Sequence, residues 1–267
     1  MGECQVGRFA IVSSYGPHFG EEPVLVGTSG SGTVFFSGCN LRCVFCQNYE
    51  ISQHVFGSEV TPRQLAEIFL KIQEIGCVNL NLVTPSHVVF QIVEALELAK
   101  TQGFRLPVVY NTSAYDSVAT LRVLEGLVDI YMPDFKYADA TLAEKYSGVR
   151  NYPQVAKKAI REMHRQVGDL HIENGVAKRG LLVRHLVLPE GIAGSYEVID
   201  FLVDEISVHT YLNIMDQYHP MYRAWQYPEL SRRITRQEYW DVVEYARERG
   251  IYRGIPFDPY GAIRTGH

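Results

Sequence analysis

Three cysteines with the spacing CxxxCxxC are the residues of this chain best suited to chemistry. Cys39, Cys43 and Cys46 lie within eight residues, directly after the apolar segment 33–37. Three thiolates on one loop can hold a single metal ion or an iron–sulfur cluster. They are one ligand short of a closed four-cysteine site, so that one metal position stays open to an external ligand. The spacing therefore predicts a metal centre that can take part in a reaction.

Zinc, disulfides and inert thiols are the alternatives to an iron–sulfur cluster. Structural zinc sites usually draw on two Cys or His pairs, whereas Cys4 and Cys77 are isolated and no His-x3–5-His pair follows. A disulfide framework needs an even number of cysteines in a small secreted chain, and this chain has five in 267 residues. Polar neighbours such as Arg42 and Gln47 disfavour a buried, inert loop. The residues favour a cluster and keep zinc as an alternative, and we expect Cys77 to be a buried small apolar residue.

The cysteine run resembles the signature of the radical S-adenosylmethionine (SAM) superfamily, in which an aromatic residue, here Phe45, precedes the last cysteine. Longer stretches resemble the PflX-type branch, which is similar to the pyruvate formate-lyase activating enzymes. The resemblance covers nearly the whole chain, in residues 18–23, 32–48, 84–87, 110–113 and 133–136.

The resemblance implies an enzyme with a [4Fe–4S] cluster and SAM as cofactors. Cys39, Cys43 and Cys46 would hold the cluster, and SAM would bind its open iron. Reductive cleavage of SAM would then allow hydrogen abstraction from a substrate, with flavodoxin or ferredoxin as electron donor. By the same resemblance the substrate would be a protein or peptide, with a backbone glycine as the target. A small-molecule substrate, or a non-catalytic iron–sulfur or zinc module, are the alternatives.

The resemblance also implies which residues contact SAM. Lys136 of the Asp-x-Lys run would neutralise the cofactor carboxylate, and His219 would lie against the ribose. The complete set of expected contacts is Phe45, Thr84, Ser86, Asn111, Ser113, Asp134, Lys136, Arg184 and His219. After the sixth strand, the expected substrate-side residues are Tyr218, Tyr222, Arg223, Trp225, Gln226 and Tyr227.

One departure from the superfamily pattern concerns the amino group of SAM. A Gly-Gly-Glu run commonly follows the second strand, but residues 83–87 of this chain contain no glutamate. The hydroxyls of Thr84 and Ser86 are the expected replacements, since each can accept a hydrogen bond. His87 is the competing candidate, because a neutral imidazole can also accept a proton.

Strand and helix patterns alternate along the chain. The run Thr61-Pro62-Arg63-Gln64 predicts a capped helix start, and Gly76 predicts its end. Residues 78–82 alternate apolar with asparagine, which predicts a strand with one polar face. Further strands are expected at 33–37, 108–110, 128–132, 181–188 and 211–215. Further helices are expected from Asp116, over 139–146, 153–166 and 195–205, and from the capping box at Thr235 to Gly250.

Six such strand–helix units predict a parallel α/β fold, either a barrel or a doubly wound sheet. Periodicity alone does not choose between them. The resemblance implies a partial (βα)6 barrel that is open on one side, with a parallel sheet and outer helices. In both folds ligands bind at the carboxyl ends of the strands. The cysteine loop and residues 84–87, 111–113, 134–136 and 217–219 all follow strand ends, which predicts one composite site.

Composition is that of one enzyme domain. Hydrophobic residues make up 46% of the 267 residues, which suits a single core. We expect residues 31–220 to form the barrel, between an N-terminal extension, 1–30, and a C-terminal extension, 221–267. The PflX resemblance implies that Cys4 is the last member of a cysteine-rich segment of which the N-terminal extension is a remnant; the alternative is an exposed cysteine near the chain terminus. A net charge of −5 disfavours nucleic acid as a partner. The sequence has no long apolar stretch for a membrane and no export signal, which predicts a cytoplasmic protein.

Overall fold

Strands and helices alternate through most of the chain. The computed structural model describes residues 2–256, which contain nine strands and nine α-helices. The strands are β1 (Ala10–His18), β2 (Ser31–Phe36), β3 (Ser58–Val60), β4 (Leu80–Val83), β5 (Val108–Thr112), β6 (Ile130–Pro133), β7 (His171–Glu173), β8 (Val176–Leu186) and β9 (Tyr211–Met215). The helices are α1 (Pro23–Val26), α2 (Tyr49–Ser52), α3 (Pro62–Ile75), α4 (Val89–Thr101), α5 (Val118–Val123), α6 (Ala140–Ser147), α7 (Tyr152–Val167), α8 (Ser195–Glu205) and α9 (Arg236–Glu248).

Six parallel strands form the centre of the sheet, in the order β2-β4-β5-β6-β8-β9. β1 adds antiparallel to β2, β3 to β1, and β7 to β8. Within residues 2–256, β9 pairs only with β8 and the far side of β2 is occupied by β1. The barrel is therefore open, and the predicted partial (βα)6 architecture is confirmed.

Alternation along the strands separates a helix-facing side from an interior side. On β5, Val108 and Tyr110 pack with the outer helices, whereas Val109 packs in a separate interior cluster. β6 and β8 follow the same rule, because successive side chains of a strand point to opposite faces. The interior cluster consists of Leu25, Val109, Ile130, Met132, Leu170, Ala177 and Leu182.

The short helix α1 closes the interior near the amino ends of β5 and β6. Its Leu25 is fully buried in the interior cluster. The Asn79 side chain donates a hydrogen bond of 2.8 Å to the Leu25 carbonyl and so fixes the backbone of this turn. Residues 2–30, expected to be an extension, thus supply both the antiparallel strand β1 and the plug of the barrel.

Several predicted helix ends are confirmed. Thr61 and Gln64 form a reciprocal capping box at the start of α3, and Gly76 ends the helix with a left-handed φ of 90°. A second capping box joins Thr235 and Glu238 at the start of α9. These caps fix where α3 and α9 begin, because each satisfies backbone N–H groups that would otherwise lack partners.

The prediction that Asp116 begins a helix is wrong. Ser117 caps α5, and its hydroxyl accepts from the Thr120 N–H at 3.0 Å. The Asp116 carboxylate turns inward instead, where it accepts hydrogen bonds from the Tyr110 hydroxyl at 2.9 Å and the Thr112 hydroxyl at 2.5 Å. Burial raises the pKa of Asp116, and these hydroxyls oppose that rise.

β8 begins at Val176, five residues before the predicted strand at 181. It forms a hairpin with β7 through Asn174 and Gly175, both of which have positive φ angles. Beyond β9, helix α9 packs beside α8; residues 257–267 of the expected C-terminal extension lie outside the described part of the chain. Among residues 2–256, no helix is both long enough and apolar enough to cross a membrane.

The plug yields a stability prediction. Leu25→Ala should lower the free energy of unfolding by about 2–5 kcal/mol, because a fully buried leucine leaves a cavity that the barrel wall cannot fill. Urea unfolding followed by circular dichroism measures this. Ile75→Ala is the control, since Ile75 is 46% exposed and its loss should cost under about 1 kcal/mol. Equal losses in the two variants would contradict the plug.

Candidate active site

A cavity of about 380 Å³ opens at the carboxyl ends of the parallel strands. All three cysteines of the CxxxCxxC loop contribute to its wall. The other predicted site residues in its lining are Phe45, Thr84, Asn111, Ser113, Asp134, Lys136 and Arg184. Its volume lies in the range of small-ligand sites. The structure therefore brings most of the predicted residues together around one space.

Strand alternation explains why the charged residues face this cavity. Asn111 follows the interior residue Val109 by two positions, and Arg184 follows Leu182 in the same way. Residues two apart on a strand share a face. The interior face thus changes from apolar residues beside the Leu25 plug to polar residues at the strand ends.

Each cysteine sulfur has a hydrogen-bond partner within the chain. The Leu41 N–H donates to Cys39 Sγ at 3.4 Å, and the Ser147 hydroxyl donates to Cys43 Sγ at 3.0 Å. Cys46 Sγ lies 3.2 Å from the Ser52 hydroxyl. Hydrogen bonds to thiolate sulfurs stabilise negative charge and tune the potential of iron–sulfur clusters. The loop is thus preorganised for thiolate ligands.

The thiols of Cys39 and Cys43 are poor acids without a metal. Burial raises the pKa of Cys39 to about 12, and the neighbouring Cys43 adds to the rise. Burial also raises the pKa of Cys43, while the positive charge of Lys136 lowers it. Metal binding requires thiolates, so loading this site must release protons.

The cysteines fit a cluster better than a single ion. A tetrahedral zinc ion needs its sulfur ligands within about 2.3 Å of one point. In the part of the chain that the structure describes, no group of three or more His, Cys, Asp or Glu side chains is placed to hold one ion. In a [4Fe–4S] cube each cysteine binds a different iron, so its three thiols need not converge.

A chain of charges runs from the cysteine loop across the cavity. Lys136 Nζ lies 2.8 Å from Asp134 Oδ2, and Arg184 Nε donates to Asp134 Oδ1 at 2.7 Å. Arg184 also donates to Asn111 Oδ1 at 2.9 Å, which joins three adjacent strands. The lysine expected to face the SAM carboxylate is therefore already paired with Asp134.

Asp134 is ionised despite its environment. Burial alone would raise the pKa of Asp134, but Arg184 and Lys136 outweigh it and hold the pKa at about 2. Burial likewise works against the charge on Lys136, and the Asp134 carboxylate reverses this and raises the Lys136 pKa. All three groups stay charged at neutral pH.

Two strand ends at the cavity carry strained backbone. Thr84 and Ala114 have φ angles of 59° and 61°, a region that non-glycine residues, and β-branched ones above all, rarely adopt. The Thr84 N–H donates to the Asn111 carbonyl at 3.0 Å, and this bond holds the end of β4 against β5. Such strain is typical of sites where backbone is aimed at a ligand.

The loop after β4 separates the three candidates for the amino group. Thr84 lines the cavity, whereas Ser86 does not, and the Ser86 hydroxyl lies 2.9 Å from the Thr112 hydroxyl. His87 Nε2 lies 2.8 Å from the Ser37 carbonyl, below the start of the cysteine loop. Burial lowers the pKa of His87, so the ring is neutral and donates this bond. Of the three, only Thr84 reaches the cavity wall.

Of residues 217–225, which follow β9, one lines the cavity and others lie at the outer surface. Gln217 lines the cavity, but His219 does not, and its Nδ1 lies 3.1 Å from the Gln217 carbonyl. Tyr218 is buried edge-on to Phe45. Tyr222 stacks on Tyr49 at 5.1 Å, and its neighbour Trp225 is 64% exposed.

Some residues of the site lay beyond sequence reasoning. His18 and Glu21 line the cavity, and Ser147 reaches Cys43 from the end of α6. The Tyr152 hydroxyl of α7 lies within 2.9 Å of the Ser113 and Asp134 carbonyls and ties two strand ends together. Ser147 is 104 positions from Cys43 and no local motif marks it.

Cavity size alone does not identify the active site. A larger cavity of about 680 Å³ lies among α6, α8 and α9. No cysteine or histidine lines it, and its Ser195 hydroxyl is already bonded to His185 at 2.8 Å. The smaller cavity has the reactive groups.

The comparisons with known proteins identify the family of this chain. The model of the Radical SAM superfamily matches residues 33–173, more than half of the chain, and the chain belongs to this superfamily. Members use a [4Fe–4S] cluster and SAM. Uncharacterized protein MJ0674 of Methanocaldococcus jannaschii is 33% identical over 249 residues, which are 88% of this chain and 66% of that protein.

Solved structures extend the likeness in fold. SuiB of Streptococcus suis, bound to its precursor peptide SuiA, matches 81% of this chain with a TM-score of 0.53 and 15% identity, over 46% of its own length. The FeFe-hydrogenase maturase HydG of Carboxydothermus hydrogenoformans matches 83% of this chain and 52% of its own, with a TM-score of 0.53 and 11% identity. anSMEcpe with bound AdoMet and the Cp18Cys peptide matches 79% of this chain and 56% of its own, with a TM-score of 0.51 and 8% identity. This chain thus spans about half of each.

Asp134 gives a prediction on pH. Asp134→Asn should destabilise the protein at pH 7 by about 2 kcal/mol, because Lys136 and Arg184 lose their shared carboxylate. The folded pKa is about 2, below the unfolded value near 3.9, so this stabilisation is present above the unfolded pKa and is lost as pH falls toward 2. Urea midpoints at pH 7, 5 and 3 should show the gap between wild type and variant narrowing at pH 3. A gap that widens on acidification would reject the assignment.

Proposed function

We propose that this chain is an enzyme that reductively cleaves SAM and abstracts a hydrogen atom from a protein or peptide substrate. The observation that carries this is the shared cavity of three hydrogen-bonded cysteines and the Lys136–Asp134–Arg184 charge chain. In this proposal the chain is a single domain with a PflX-type role, similar to that of the activating enzymes. The sequence motifs at the cysteines and at the strand ends support that assignment.

The chain's own residues prepare the cavity for both cofactors. Cys39, Cys43 and Cys46 would hold three irons and leave one open, and each sulfur has a hydrogen-bond partner within the chain. Lys136 supplies positive charge beside the thiolates and the carboxylate of SAM. When bound, the reduced cluster would supply the electron that cleaves SAM.

A peptide substrate is supported by the open side of the barrel and by the residues around its mouth. Tyr49, Tyr222 and Trp225 offer aromatic surface beside the cysteine loop, and aromatic rings are favoured in peptide recognition. SuiB and anSMEcpe were both solved with peptides. A small-molecule substrate is the second candidate, supported by the modest 380 Å³ of the cavity.

The electron would come from a small carrier such as flavodoxin or ferredoxin, in the cytoplasm. The five cysteines are free in this structure, which suits a reducing compartment. A non-catalytic iron–sulfur module is disfavoured, because an electron carrier has no need of an open iron beside a charged cavity.

The cluster assignment predicts iron content. Anaerobic reconstitution should give about four irons per chain, with an absorption spectrum that changes when SAM is added. Cys43→Ala should lose most of this iron, because the cube then has two protein ligands. Cys77→Ala is the matched control, as Cys77 is equally buried but lies outside the cavity. One zinc and no iron in the anaerobic protein would refute the proposal.

The charge chain predicts an effect on cofactor affinity. Lys136→Ala should weaken SAM binding about 10- to 150-fold, the value of one lost charge-assisted hydrogen bond. Iron content should not change, because the lysine is not a ligand. Equilibrium dialysis under nitrogen measures both. Lys145→Ala, which removes a surface lysine paired with Glu229, should bind SAM normally. Unchanged affinity in Lys136→Ala would reject its role.

A further inference from the structure

The cavity contains one acidic side chain that its own surroundings leave unsatisfied. Glu21 lies between β1 and α1, lines the cavity, and has a side chain only 9% exposed. Its Oε2 is buried without a hydrogen-bond partner. Arg184 Nη1 lies 3.8 Å from this oxygen, which is too long for a hydrogen bond. A buried carboxylate oxygen without a donor costs free energy unless a ligand supplies one.

Arg184 does not satisfy Glu21, because two of its three nitrogens donate elsewhere and the third, Nη1, lies 3.8 Å from Glu21 Oε2. Its Nε donates to Asp134 and one terminal nitrogen donates to Asn111. Lys136 is likewise held by Asp134. Lys136 and Arg184 therefore both pair with Asp134, and only Nη1 of Arg184 faces Glu21.

The neighbouring Glu22 shows what a satisfied carboxylate looks like here. Its Oε1 accepts a hydrogen bond of 2.7 Å from the Asn213 side chain on β9. Glu22 does not line the cavity. Two adjacent glutamates thus have different roles: Glu22 joins the N-terminal segment to the sheet, and Glu21 faces the ligand space.

The order of contacts places Glu21 away from the cysteines. Lys136 acts on the thiols of Cys39 and Cys43, Asp134 joins Lys136 to Arg184, and Arg184 leads to Glu21. Leu25, the plug of the barrel interior, follows Glu21 by only four positions. The open iron beside the cysteines takes the amino acid part of SAM under the proposed function. Glu21 then lies at the end of this chain of contacts that is farthest from the cysteines.

We propose that Glu21 binds a positively charged amine of the ligand in this cavity, and that the substrate therefore carries an amine. This rests on the proposed function, because it assumes that SAM occupies the end near the cysteines. An ammonium group supplies both the missing donor and the missing charge, and charge-assisted bonds are the strong ones in a site shielded from water. The amino group of SAM has the same chemistry, so the experiment must distinguish the two sources.

The test uses the reconstituted enzyme with its cluster and compares Glu21→Gln with Glu22→Gln. Gln keeps the shape of the side chain and removes its charge. In the presence of SAM, binding of n-butylamine and of n-butanol is measured by ligand-observed NMR. Binding of SAM, and of the SAM analogue that has hydrogen in place of the amino group, is measured by equilibrium dialysis. Iron content and thermal unfolding confirm that each variant is folded; if Glu21→Gln is not, Glu21→Ala, which also removes the charge, takes its place.

We expect the wild-type enzyme to bind n-butylamine more tightly than n-butanol. Glu21→Gln should bind n-butylamine about 10- to 100-fold more weakly, whereas its affinity for SAM should not change. Glu22→Gln should keep the amine preference. If Glu21→Gln instead weakens SAM but not its analogue without the amino group, the amine site stands and belongs to the cofactor. If the variant changes neither ligand, or wild type does not prefer the amine, the inference is overturned. A wild type that binds no SAM and forms no 5′-deoxyadenosine fails the proposed function itself, which is a separate result.

Discussion

The carboxylate of Asp134 is the point on which the candidate site depends. One oxygen binds Lys136 and the other binds Arg184, so that a single residue at the end of β6 fixes two cations from opposite sides. Arg184 extends the contact to Asn111 on β5. Removing charges from water is costly, and a pair of buried cations is tolerated only when a shared anion and good hydrogen bonds compensate. The positions of the cavity walls therefore follow from this one interaction.

The barrel interior is both a packed core and a binding site, because the inward side chains of each strand change from apolar to polar along its length. Near the amino ends of the strands, Val109, Ile130 and Leu182 close around Leu25. Two residues further along the same face, asparagine and arginine side chains replace the apolar ones. A parallel barrel can therefore be both a packed core and a binding site, with the boundary set by where the apolar side chains stop. The strained backbone of Thr84 lies at that boundary.

Local signals predicted much of this structure, and long-range contacts account for what was missed. The capping boxes at Thr61 and Thr235 and the alternation of asparagine on β4 are decided by neighbours in sequence, so they were readable. The cysteine spacing was readable for the same reason. Aspartate is a favoured helix cap, but the Asp116 side chain is buried and bonded to the Tyr110 hydroxyl, so it cannot cap α5. Ser147 and Glu21 meet their partners across more than a hundred residues. No local motif marks Ser147, and the resemblance in residues 18–23 does not assign Glu21 a contact.

The N-terminal segment ties the fold to the site. Glu22 bonds to Asn213 on β9, at the open side of the barrel, and Leu25 fills the interior a few residues later. The segment therefore spans the gap that no strand pairing closes between β9 and β2 within the described residues. A carboxylate placed on this span is positioned by both ends of the gap, although it belongs to no strand. Glu21 is held in this way, which explains how a residue outside the six strand–helix units contributes to a cavity formed by their ends.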